Sequence, residues 1–93
     1  MAKIEWTPLA VQDLESIFEY ISKDSVFYAA RQVDRLVNRV DVLESFPASG
    51  KIVPEFNDES IRELLEGNYR IVYKVTSETI FIARVHHSAK NLT

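Results

Sequence analysis

The stretch that decides the fold runs Ile61-Arg62-Glu63-Leu64-Leu65-Glu66-Gly67-Asn68-Tyr69-Arg70-Ile71-Val72-Tyr73-Lys74-Val75-Thr76-Ser77-Glu78-Thr79-Ile80-Phe81-Ile82-Ala83-Arg84-Val85-His86-His87. Segments rich in β-branched and aromatic residues flank Gly67-Asn68, a two-residue hairpin signal. Thr76-Ser77-Glu78-Thr79 marks a second reversal. Three antiparallel strands are predicted, over 61–66, 69–75 and 80–85. If Gly67-Asn68 closes the first loop, Glu66 pairs with Tyr69, Leu65 with Arg70, and Glu63 with Val72. If Ser77-Glu78 closes the second, Thr76 pairs with Thr79, Val72 with Ala83, Arg70 with Val85, and Tyr69 with His86.

Paired residues share a face of a sheet. One face is thus expected to gather Glu63, Leu65, Arg70, Val72, Lys74, Phe81, Ala83, Val85 and His87. The other gathers Arg62, Leu64, Tyr69, Ile71, Tyr73, Val75, Ile80, Ile82, Arg84 and His86. It is the more uniformly apolar, so it is assigned to the helices.

Those helices lie upstream. Lys3-Ile4-Glu5-Trp6 alternates as a short strand, with Trp6 a core residue. Thr7-Pro8 then provides an N-cap and a first-turn proline. Ala10, Leu14, Ile17, Phe18 and Ile21 form one apolar face, predicting a helix from Pro8 to Ser22. Ala29, Val33, Leu36, Val37, Val40 and Leu43 predict a second, from Val26 to Ser45. Phe46-Pro47-Ala48-Ser49-Gly50 ends it. Lys51 to Phe56 is an extended edge segment or loop, since Pro54 excludes a central strand. The expected architecture is α+β, in the order β-α-α-β-β-β: a helical hairpin packed on a small antiparallel sheet.

The chain has 93 residues and is read as one domain, 1–93. It has no cysteine, which excludes a disulfide framework and a thiolate metal site. No stretch approaches the ~18 apolar residues of a membrane span, and the first residues lack a signal-peptide run, so a cytoplasmic protein is expected. Net charge is −3. Residues 1–50 hold 5 basic and 8 acidic side chains, and residues 51–93 hold 6 of each. The basic surplus usual for a protein that grips many phosphates is missing.

The runs Gly50-Lys51-Ile52-Val53-Pro54-Glu55-Phe56, Ile61-Arg62-Glu63-Leu64 and Gly67-Asn68-Tyr69-Arg70-Ile71-Val72-Tyr73 resemble the RelE/ParE toxin superfamily. So do the tail Ile82 to Leu92 and the opening Trp6-Thr7-Pro8, Ala10, Asp13-Leu14, Ile17 and Tyr20-Ile21. The resemblance covers nearly the whole chain and implies a toxin–antitoxin toxin, held inactive by a cognate antitoxin whose extended segment wraps it in a hetero-oligomer. The tail is more similar to the ParE branch, whose members poison DNA gyrase. RelE-like members instead cleave mRNA on the ribosome. A third expectation is a non-toxic relative that only binds an antitoxin.

RNA cleavage needs a base, an acid and positive charge for the phosphorane. The resemblance offers Glu55, Arg70 and His87 for these roles, should the chain be a nuclease. It lacks the aromatic residue that follows the C-terminal histidine in that subgroup, and the clustered lysines of RelE, so gyrase is favoured over the ribosome as target. Arg62, Arg70, Arg84 and Lys90 are the expected contacts to target or partner. Against these stand plainer readings. Arg70 pairs with Glu63, Glu55 is a solvated loop residue, and Arg62 and Arg84 pair with carboxylates at the sheet edge. His87 hydrogen-bonds at a strand end, and His86 is structural. Arg31, Arg35 and Arg39 form a solvated ladder, or a contact to antitoxin or target. Adjacent histidines on a strand cannot share a face, so no metal is expected, and no cofactor.

Overall fold

Thr7 ends the first strand and starts the first helix. In the computed structural model, which describes residues 2–88, its hydroxyl oxygen accepts from Ala10 N at 3.2 Å, with Pro8 in the first turn. β1 is Lys3–Trp6 and α1 is Pro8–Ser22. Ser25 caps α2, Val26–Arg39, by accepting from Tyr28 N at 3.2 Å. The second helix was expected to reach Ser45. It is α-helical only to Arg39 and continues as a 3-10 segment, Val40–Glu44. The tighter winding keeps Val40 and Leu43, three residues apart, on one buried side.

The strands β2 (Lys51–Ile52), β3 (Ile61–Glu66), β4 (Tyr69–Val75) and β5 (Thr79–His87) join β1 in a five-stranded sheet of order β1-β5-β4-β3-β2. The helical hairpin covers one face, as expected. Leu64, Ile71, Tyr73, Ile80 and Ile82 meet Ala10, Leu36 and Leu43 in the core. Trp6 packs against its edge. Two features extend the expected sheet: β1 pairs in parallel with β5, and β2 forms the opposite edge beside β3.

Gly67 adopts a left-handed φ of 57°, which suits glycine, and the β3–β4 register is the expected one, Leu65 opposite Arg70. The β4–β5 register is not. It begins as predicted, with Tyr73 opposite Ile82, then shifts by one residue at a β-bulge. Val72 now pairs with Arg84, Ile71 with Val85, Arg70 with His86, and Tyr69 with His87. Ala83 is the extra residue. Helix α1 holds the irregularity in place. Thr7 Oγ1 donates to Ile82 O and Ala83 O at 2.9 and 3.1 Å, and Asp13 accepts from Val85 N at 2.8 Å. The face assignments beyond Ala83 are therefore corrected. Val85 joins the helix-side core, His86 shares the face of Arg70, and His87 shares that of Tyr69.

Candidate functional site

Arg70 sits in the middle of β4 on the face away from the helices, and the chain after β2 crosses over it. Val53 stays in register, donating to Ile61 O at 3.0 Å. Phe56 N and Asn57 N both then return to Val53 O, with Asn57 at a φ of 48°. This turn delivers Glu55 onto the sheet. Its carboxylate accepts from Arg70 Nη1 at 2.9 Å and Nη2 at 3.1 Å. From the neighbouring strand, Glu63 accepts from Arg70 Nε at 2.6 Å and Nη2 at 3.0 Å. One guanidinium is thus held in two bidentate pairs.

Burial makes this arrangement consequential. Glu63 is 5% and Arg70 8% exposed, and His86, opposite Arg70, is also 8% exposed. Burial alone would penalise the charged guanidinium. Hydrogen bonds from Glu55 and then Glu63, with their charges, outweigh it and raise the Arg70 pKa. The three groups carry one positive and two negative charges, net −1. Glu55 is therefore not a solvated loop residue, and the Arg70–Glu63 pairing is only half of what the arginine does.

Of the expected nuclease trio, two members meet and one does not. Glu55 and Arg70 are in contact. His87 is moved by the bulge to the other face, where its ring meets that of Tyr69 edge-on at 5.7 Å.

The expected binding arginines are also engaged. Arg62 pairs with backbone carbonyls rather than carboxylates: Nε donates to Glu59 O at 3.0 Å and Nη1 to Gly50 O at 2.9 Å. It staples the 46–60 segment to the sheet. Arg84 grips Asp13 through Nε and Nη2 at 2.9 and 3.1 Å. Burial works against the Asp13 carboxylate. The bonds from Arg84 and Val85 N, helped by the charges of Arg84 and His86, prevail and hold its pKa below the usual aspartate value. Asp13 was quoted in the opening motif, but nothing in the sequence paired it with Arg84, 71 residues away. Lys90 lies outside the described residues. No group of three or more potential metal ligands gathers among the described residues, and no helix there is long and apolar enough to cross a membrane.

A family model described as "ParE toxin of type II toxin-antitoxin system, parDE" matches residues 4–92. Toxin RelE2 of Caulobacter vibrioides is 33% identical over 91 residues, covering 97% of this chain and 99% of that protein. Putative toxin Y4kP of Sinorhizobium fredii is 35% identical over 86 residues, covering 90% and 86%. Among solved structures, the chromosomal ParDE toxin–antitoxin system from P. aeruginosa is similar at a TM-score of 0.77 and 23% identity, covering 94% and 96% of the two chains. The RelBE2 toxin–antitoxin complex of Mycobacterium tuberculosis follows at 0.59 and 21%, covering 92% and 96%. At those identities the structural likeness is one of fold.

Proposed function

Since the chain belongs to the ParE toxin family of type II toxin–antitoxin systems, we propose that it arrests growth by binding and poisoning DNA gyrase. A cognate antitoxin holds it inactive in the cytoplasm. The observation that carries this reading is the double carboxylate clamp on Arg70. A ribonuclease needs positive charge aimed at a pentavalent phosphorus. Here the candidate arginine is buried and its cluster is net negative, which opposes a phosphate rather than attracting it. The separation of His87 from Arg70 and the overall charge of −3 point the same way. The antitoxin reading draws support from the toxin–antitoxin complexes whose toxin fold this chain shares.

The test is a gyrase supercoiling assay beside a ribosome-dependent cleavage assay on the purified chain. Inhibition of supercoiling with accumulation of cleaved DNA, and intact mRNA, is expected. Cut mRNA with normal supercoiling would establish the ribonuclease reading instead. Growth unaffected by expression of soluble protein would leave only the non-toxic relative.

A further inference from the structure

A cleft of about 630 Å3 opens between the helical hairpin and the end of the sheet that carries Asn68, Tyr69 and His87. A second, of about 310 Å3, lies along α2 beside Tyr28, Arg31 and Arg35. Ile21 and Gln32 line both, so the two make one continuous groove. Its rim is aromatic: Tyr20 is 72% and Tyr28 64% exposed, and neighbouring Phe27 63%. Large apolar side chains grouped in this way mark a surface that a partner covers.

Two polar features say what kind of partner. Gln32 Nε2 is buried and has no acceptor among the described residues. A buried donor without an acceptor is costly, and such a group is usually satisfied by something. Arg31 and Arg35 are exposed and form no ion pair among the described residues; Arg31 lies over the Phe27 ring at 5.7 Å. In a chain of net charge −3, this groove therefore offers uncompensated positive charge beside apolar surface. An acidic segment is repelled by the chain as a whole and drawn here. A second copy fits less well, because a two-fold contact lays the groove on itself and sets arginine against arginine.

We infer that this groove receives an amphipathic segment of the antitoxin. Its apolar side chains rest on Tyr20, Tyr28 and Tyr69, its carboxylates face Arg31 and Arg35, and it supplies an oxygen acceptor to Gln32. The inference rests on the antitoxin reading above.

Gln32 makes the test specific, because its two effects have opposite signs. Removing an orphaned donor relieves the free chain, while removing a satisfied donor weakens the complex. The probe is the protein encoded by the neighbouring gene, purified separately and titrated calorimetrically into the full chain. Gln32→Met is expected to raise the melting temperature of the free chain and to weaken binding about tenfold. Arg31→Glu with Arg35→Glu is expected to weaken binding about a hundredfold and to flatten its salt dependence, with an unchanged circular dichroism spectrum. Unchanged affinity in both variants, or a lowered melting temperature for Gln32→Met, overturns the groove assignment. Self-association of the free chain that the same substitutions abolish gives the groove to a second copy and overturns it equally. A wild-type chain that does not bind the neighbouring protein refutes the antitoxin reading itself, a different result from binding that ignores the groove.

Discussion

Arg70 and its two carboxylates respond unequally to substitution. Arg70→Ala leaves Glu55 and Glu63 buried side by side without a counter-charge, and is expected to cost about 3–5 kcal/mol of stability in urea denaturation. The sequence alone suggested that this variant would lose toxicity with its fold intact; burial reverses the second half of that expectation. Arg70→Lys fares little better, since a single ammonium cannot serve two forked partners. Asp13 has its own signature. With its folded pKa below its ordinary value of 3.8, it contributes stability that is present above that pH and lost as pH falls through the folded value. Asp13→Asn is expected to be less stable at neutral pH and to show a shallower loss of stability in acid below about 3.8, read from thermal melts across pH. An acid limb of unchanged slope would contradict the clamp on Arg84.

Among the elements, the β3–β4 hairpin was legible because Gly67-Asn68 announces its own turn and fixes its register. Both helices were legible from their apolar stripes and from the Thr7 and Ser25 caps. The bulge was not. Ala83 is compatible with a regular strand, and what displaces it is Thr7 and Asp13, brought to β5 by tertiary packing. One unmarked residue therefore exchanged the faces of His86 and His87. Glu55 was singled out by resemblance, but its contact needed the turn at Val53–Asn57, whose only local cues are Pro54 and Asn57. The loop before β2 hangs on Tyr73, whose hydroxyl accepts from Gly50 N and donates to Pro47 O, both at 2.9 Å. Tyr73→Phe orphans both buried groups and is expected to cost about 1–3 kcal/mol, with faster amide exchange at Gly50. Gly50→Ala is expected to be worse. A Cβ there meets Glu63 O and the Tyr73 hydroxyl at 2.5 Å, so the loop must leave the sheet.

For the whole molecule, a 93-residue chain has a thin margin of stability, and a partner that binds only the folded form adds to it. Antitoxin at one hundred times its Kd is expected to add about 2.7 kcal/mol, visible as a rise in melting temperature that grows with antitoxin concentration. The pairing of β1 with β5 sets a further condition, this time in the order of synthesis. Lys3 through Trp6 hydrogen-bond beside Thr79 through Ile82, so the first strand made has no place in the sheet until the last has been translated. Such distant pairing is slow, and it closes the sheet only after the ribosome has nearly finished. A nascent chain stalled short of Thr79 should therefore remain open to protease at its N-terminus, and the toxin should emerge harmless until it is complete.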